Sequence, residues 1–322
     1  MISTTMRDRI CLVTGATEGM GVVIARELAA QGATVVLVGR DVQKGAAVQR
    51  AIVRATGNTA VDLLRADLSS QQEIRRMVEE LRQRYGQLHV LVNNAGAHIM
   101  QRQVSPDGLE MTLAINHLAS FLLTNLLLDT LRASGPARIV NVASNAMTKT
   151  IDLDDLQSER SYAPMRVYGQ AKLAMVLCTY ALARRLAGSG VTANALHPGL
   201  TGTGIVDTMA PPLLRPFTGL IKRVMLTPEQ GARTALYLAT SSAVEGMNGR
   251  YFVREKETRS VPLSYNVALQ EQMWAISAEL TNLTHSASAE VPTAEDREGA
   301  FSAATNTLPT AGAPEQRSMS AR

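Results

Sequence analysis

Tyr168 and Lys172 stand four residues apart within 167–187, a stretch of helical periodicity, so both side chains leave one face. A tyrosine with its ordinary pKa of about 10 is a poor acid–base group at neutral pH. An ammonium ion beside it favours the phenolate and brings that pKa down. Such a pair also arises by chance in any helix, and alone it carries no function. Two further polar residues stand where chemistry would want them. Ser144 ends a β-branched run, where its hydroxyl can bond the oxygen of a carbonyl compound. Asn116 lies inside another helical stretch, a position its propensity disfavours, so a side chain facing inward there needs a reason.

A different chemistry is written near the start. Thr14-Gly15-Ala16-Thr17-Glu18-Gly19-Met20-Gly21 follows an apolar run and opens a helix. Three glycines allow a tight turn, close approach of the backbone to a pyrophosphate, and close packing of helix on strand. The helix N-terminus adds unpaired N–H groups and a positive dipole end. The spacing is G-x-x-x-G-x-G, and glycines also mark plain turns, so the strand–turn–helix context is what points to a dinucleotide. The next apolar run ends Val38-Gly39-Arg40. An acid there would bond the ribose hydroxyls of NAD(H), whereas Arg40 offers a charged fork to a 2′-phosphate, with Gly39 leaving room. NADP(H) is therefore expected and NAD(H) disfavoured, although Glu18 adds negative charge nearby. Asp67-Leu68 follows the third run, where the carboxylate can accept from an adenine amino group. Asn93-Asn94-Ala95-Gly96 follows the fourth, a small polar turn against which a ribose can lie.

The elements that must carry these residues alternate. Residues 10–14, 34–38, 60–65, 88–92, 138–143 and 191–196 read as strands, and 21–31, 42–55, 71–85, 107–131 and 167–187 as helices. Continuous apolar strands separated by helices predict an α/β fold with a doubly wound parallel sheet, ligands lying at the carboxyl ends of its strands. The turn at 14–21, Arg40, Asp67, Asn93–Gly96 and Ser144 all fall at such ends.

Composition removes other classes. The chain has 322 residues, 46% hydrophobic and 19% charged, with a formal net charge of +4. A large core can be buried, and the modest charge, with no basic run, argues against nucleic acid as a partner. Cys11 and Cys178 lie far apart in apolar surroundings, so neither disulfides nor a cysteine metal site is expected, and a reducing compartment, the cytoplasm, fits. The first nine residues hold no signal peptide, and the apolar stretch from Asn116 to Leu131 is interrupted by polar residues, so no transmembrane anchor is expected. From Thr284 to Arg322, 24 of 39 residues are Ala, Ser, Thr, Pro or Gly, which predicts a disordered tail, 284–322, behind one domain, 1–283.

Taken in order, the turn at 14–21, Asn93–Gly96, Asn116, Ser144, Tyr168-x-x-x-Lys172 and Pro198-Gly199 resemble the short-chain dehydrogenase/reductase superfamily over residues 8–253. The 24 residues from Ser144 to Tyr168, the run Ile151-Asp152-Leu153-Asp154-Asp155-Leu156-Gln157, and Leu196-His197-Pro198-Gly199 are similar to its retinol-dehydrogenase-like branch. The resemblance implies a Rossmann fold, a substrate lid at about 200–226, a closing helix at about 264–281, and a homo-oligomer as one assembly state. It implies an NADP(H)-dependent reductase or dehydrogenase for a lipophilic aldehyde, ketone or alcohol. Tyr168 is then the general acid or base and Lys172 its activator and a ribose ligand. Ser144 polarises the substrate oxygen, and Asn116 holds a water that links Lys172 to solvent. Gly15, Thr17, Glu18, Gly19, Met20, Gly21, Arg40, Asp67, Leu68, Asn94, Ala95 and Gly96 line the cofactor, joined by Pro198, Gly199, Thr201 and Thr203 around the carboxamide. Gly202 and Gly204 depart from the bulkier residues of the pattern. His197 reads as a structural histidine, and His98 stands where it can contact the cofactor or the substrate, although a loop histidine usually does neither. A non-catalytic dinucleotide sensor or scaffold is the rival, and it has no chemical need for Tyr168 beside Lys172.

Overall fold

A computed structural model describes residues 5–200 and 225–283. Eight strands form one sheet in the order β3-β2-β1-β4-β5-β6-β7-β8. They are β1 (Ile10–Thr14), β2 (Thr34–Gly39), β3 (Val61–Arg65), β4 (Val90–Asn93), β5 (Ala137–Val142), β6 (Val191–His197), β7 (Tyr251–Val253) and β8 (Lys256–Glu257). The first seven pair in parallel and β8 returns antiparallel to β7.

Period-two alternation explains why both faces need cover. Cys11 and Val13 of β1 join Val35 and Leu37 of β2 in one core, while Leu12 joins Val36 and Val38 in another. The first core is closed by helices α1 (Gly19–Ala30) and α2 (Val42–Thr56), the second by α3 (Gln71–Arg84) and α4 (Met111–Ala133). A further helix, α5 (Pro164–Arg185), lies beyond α4, and α6 (Pro228–Thr240) packs on α1. Against α5 lies α7 (Val267–Leu280), burying Leu269 and Met273 in a third core with Leu177 and Tyr180. Length and composition alone would let α4 cross a membrane, but its apolar side chains Leu122, Leu123 and Leu127 are buried inside the fold.

Besides shifts of a few residues, such as the helix expected at 167–187 that runs Pro164–Arg185, two differences from the sequence pattern have identifiable reasons. The helical period begins near residue 107, but α4 begins at Met111, because the Glu110 carboxylate accepts from Thr112 N and Leu113 N and caps it there. Residues Ser105–Glu110 instead turn back so that Val104 bridges Glu110. The β7–β8 pair has no periodic signature, being three residues and two joined by Arg254 and Glu255 with left-handed φ of 51° and 63°. The tail at 284–322 and nearly all of the expected lid lie outside the described residues.

The strand order places β1 between β2 and β4, so the chain reverses its direction of winding across the β1/β4 boundary. Leu12 is fully buried at the centre of this region. Leu12→Ala is expected to cost about 3 kcal/mol of stability through lost burial and a residual cavity, read as a lower urea midpoint with an unchanged slope.

Candidate active site

The ends of β1 and β4 are tied together first. Thr14 Oγ1 donates to Val92 O and accepts from Asn94 N at 3.0 Å and Ala95 N at 3.1 Å. Asn94 Nδ2 donates back to Thr14 O at 2.9 Å. The turn that follows β1 must therefore lie flat on the β4 loop. A Cβ on Gly21 would come 2.1 Å from Gly15 O, and Gly15 itself holds φ of +62° with Ala95 Cα 2.9 Å from its missing Cβ. Glycine is obligatory at both positions, first because of this protein's own packing. Glu18 is the N-cap of α1 but makes no side-chain cap bond, pairing instead with Lys44. The first-turn N–H groups of α1 thus keep their capacity for an anion, with Thr17, Gly19 and the half-buried Met20 around them.

The second and third strands deliver their residues to the same edge. Thr17 packs over Gly39, whose added Cβ would meet Thr17 Cγ2 at 2.4 Å. Arg40, next in the chain, is exposed and makes no hydrogen bond or ion pair with the described residues. Asp67 spends one carboxylate oxygen on its own loop, accepting from Ser69 N at 2.9 Å and Ser69 Oγ at 2.8 Å, which leaves the other for a ligand. Leu68 packs partly buried against the core beneath.

The catalytic candidates converge beyond β4 and β5. Asn116 sits in a π-helical turn, Ala114–Leu118, within α4, the kind of local widening that accumulates at functional positions. Its Nδ2 donates to Thr112 O at 2.9 Å and Ala97 O at 2.7 Å, and its Oδ1 accepts from Ala97 N at 3.2 Å. Both amide protons are thereby used, so the side chain keeps only acceptor capacity for the expected water and acts first as a clamp on the β4 loop. Gly96 lies in the gap: a Cβ there would stand 2.9 Å from Asn116 Oδ1 and 3.4 Å from Lys172 Nζ.

Tyr168, Ser144 and Lys172 are all at least nine-tenths buried. Lys172 Nζ donates to Val142 O at 2.9 Å and stands 5.8 Å from the Tyr168 ring centroid. Burial lowers the Lys172 ammonium to about 8, still charged at neutral pH. The Tyr168 phenol is raised by burial, with the adjacent Ser144 hydroxyl pulling the other way. The expected lowering by the lysine is not the net direction here, where desolvation of the phenolate dominates. Ser144 Oγ accepts from Ala146 N at 3.1 Å, leaving its proton for another partner.

Residues 145–163 form one wall. Gly169, beside Tyr168, lets this segment lie on α5, since an added Cβ would meet Ala146 O at 2.5 Å. Tyr162 donates to Ile99 O at 2.9 Å. Pro198 and Gly199 end β6 at the same edge, Gly199 with φ of +94°, and Leu226 N donates to Leu200 O at 2.9 Å, closing the ends of the segment between them. Thr201 and Thr203 lie outside the described residues.

A family model described as short chain dehydrogenase matches residues 9–212, most of the sheet and every described catalytic candidate. The chain belongs to the short-chain dehydrogenase family. It is 40% identical over 285 residues to human polyprenol dehydrogenase, covering 86% of each chain, and 40% identical over 278 residues to human retinol dehydrogenase 12, covering 85% and 87%. The RhlG protein of Pseudomonas aeruginosa, solved as an NADP active-site complex, aligns with a TM-score of 0.63 and 27% identity over 78% of this chain and 96% of that one. This short-chain dehydrogenase is thus an oxidoreductase of the retinol-dehydrogenase-like branch, acting between alcohol and carbonyl, on a fold that takes a nicotinamide dinucleotide. The α1 N-terminus, whose first turn has no side-chain cap, fits the pyrophosphate of that cofactor.

Sequence reasoning missed Lys44, Gly169 and the buckling role of Thr14. Only Lys44 had a local signal, standing three residues after the α2 N-cap Asp41, whose carboxylate accepts from Lys44 N. One consequence concerns Lys172. Between about 8 and its ordinary 10.5 the unfolded chain holds this proton and the folded one does not, so this group makes stability rise with pH across that window. Wild type is expected to gain stability relative to Lys172→Met as pH rises from about 8 to about 10, read from urea midpoints, while the variant has no turnover at any pH.

Proposed function

We propose that the protein is an NADP(H)-dependent reductase of ketones or aldehydes on a lipophilic molecule, with Tyr168 as the proton donor. The observation that carries the proposal is the burial of a neutral phenol between Ser144 and Lys172 at the carboxyl edge of the sheet. A neutral phenol is the form a general acid needs when a carbonyl oxygen becomes an alcohol. Ser144, its hydroxyl proton free of the backbone, orients and polarises that oxygen. Lys172 keeps two donors beyond its bond to Val142 O for a ribose, and its charge favours the phenolate left after proton transfer. The dinucleotide, when bound, supplies or accepts the hydride. Asn116 holds Gly96 and Ala97 in place beneath these groups and offers an acceptor to a water on the way to Lys172.

Preference for the 2′-phosphate rests on Arg40, exposed and without an ion pair among the described residues, and on the Lys44 ammonium beside the same turn. Glu18 opposes an anion there, but its pairing with Lys44 tempers that charge. A lipophilic substrate is supported by the likeness to enzymes named for retinol and polyprenol.

The test follows nicotinamide absorbance with NADPH and, separately, NADH against lipophilic ketones and aldehydes. Tyr168→Phe is expected to abolish turnover with little change in NADPH affinity. Tight NADPH binding without turnover in wild type, in either direction, would overturn the reading. Arg40→Ala is expected to raise the KM for NADPH about tenfold and leave that for NADH within about twofold, the loss of one charge-assisted contact. Because the phenol is held up while the Lys172 ammonium is lost near 8, carbonyl reduction should stay level from about pH 6 to about pH 7 and fall as pH rises through about 8.

A further inference from the structure

His98 follows Gly96 by two residues, and its backbone is pinned on both sides. Ala97 is held by Asn116 through two hydrogen bonds, and Ile99 O accepts from the Tyr162 hydroxyl. The side chain is 5% exposed. Its ring meets the Tyr168 ring edge to face, centroids 5.7 Å apart and planes at 71°. Neither Nδ1 nor Nε2 has a hydrogen-bond partner among the described residues. The other three described histidines differ: His89 accepts from Ile10 N, His197 accepts from Asn145 N, and His117 bonds the Ser277 hydroxyl at 2.7 Å.

Burial lowers the His98 pKa, so the ring is neutral, with one N–H donor and one bare acceptor nitrogen. Leaving such a group unpaired in the interior is destabilising, a cost that an apolar side chain of similar size would avoid. The place of the ring shows where a partner would come from. It touches the phenol that carries the reacting proton, in a site that must admit a ligand. A rigid loop presenting an unsatisfied group at the reacting centre is a preorganised recognition element.

We infer that His98 is a specificity-determining residue whose imidazole hydrogen-bonds a second oxygen of the substrate, a hydroxyl or carbonyl close to the reacting carbon. The preferred substrate class is then an oxygen-functionalised ketone on a lipophilic body, such as a hydroxyketone, in place of a simple alkyl ketone. The inference rests on the reductase reading of this same site. A site built to bond a substrate oxygen discriminates strongly against the analogue that lacks it, because the protein group is then left unpaired.

The experiment uses a matched pair, 3-hydroxyoctan-2-one and octan-2-one, each with one reducible carbonyl. Wild type, His98→Phe and His98→Gln are compared as mutant-to-wild-type ratios, which cancels the intrinsic reactivity of each ketone. His98→Phe is expected to lower kcat/KM for the hydroxyketone about tenfold, mainly through KM, and to leave octan-2-one within about twofold. His98→Gln, which keeps a donor and an acceptor, should recover part of the loss. Equal losses on both ketones, or none on either, would overturn the inference. So would a tenfold loss of NADPH affinity in His98→Phe, measured by fluorescence titration, since the partner would then be the cofactor. If wild type reduces neither ketone nor any other in a broad panel, the reductase reading fails. Calorimetric binding of the two ketones to NADPH-loaded protein still decides the role of His98: a wild-type preference for the hydroxyketone that His98→Phe removes supports it, and no preference refutes it.

Discussion

The Thr14 hydroxyl is the interaction on which the rest of the site depends. It sits where the winding of the sheet reverses, and it bonds three backbone groups of the β4 segment at once, Val92 O, Asn94 N and Ala95 N. Backbone groups at the end of a buried strand lose their ladder partners and must find others. Here one side chain supplies them, and Asn94 returns the favour to Thr14 O and Gly15 O. The phosphate turn and the β4 loop are therefore one object. Gly15 follows from that closeness, since a Cβ there would strike Ala95, and Gly21 from the tightness of the turn, since its Cβ would strike Gly15 O and then the Asn94 amide. Gly96, Ala97 and His98 then leave the buckle in a set direction, toward α4 and α5.

From that point the site is assembled by clamps more than by contacts among its own reactive groups. Asn116 uses both amide protons and one oxygen to hold Ala97 and the widened turn of α4. Lys172 is tethered to β5 through Val142 O. The Tyr162 hydroxyl fastens the far side of the loop at Ile99. Lys172 and the β4 loop are thus held by separate supports. The low-dielectric surroundings then set their protonation: a neutral phenol, a loosened ammonium and a neutral imidazole. Each of these states suits donation of a proton to a carbonyl oxygen and hydrogen bonding of a polar substrate.

Much of this was legible in the residues themselves. Apolar runs with β-branched residues must be buried strands, and an i, i+4 pair must share a helical face, whatever surrounds them; local chemistry and periodicity are enough. The turn at Thr14–Gly21 and the shared face of Tyr168 and Lys172 are of this kind, and so is the residue type at the end of β2, where Arg40 stands without an acid. Contacts between distant segments are not written in any window of sequence. That Asp67 uses one oxygen on Ser69, that Glu110 starts α4 later than its periodicity, and that Gly169 makes room for Ala146 O all depend on folding. The sign of the Tyr168 shift is the sharpest case. Proximity to a lysine is visible in spacing, but desolvation is a property of everything packed around the phenol. His98 is the same lesson in reverse: a loop histidine reads as incidental until the tertiary structure buries it against Tyr168 with neither nitrogen bonded among the described residues. Sequence determined which groups are present and which face of which element carries them; the tertiary structure alone decided their partners and charge states, because both are set by what surrounds a group in space.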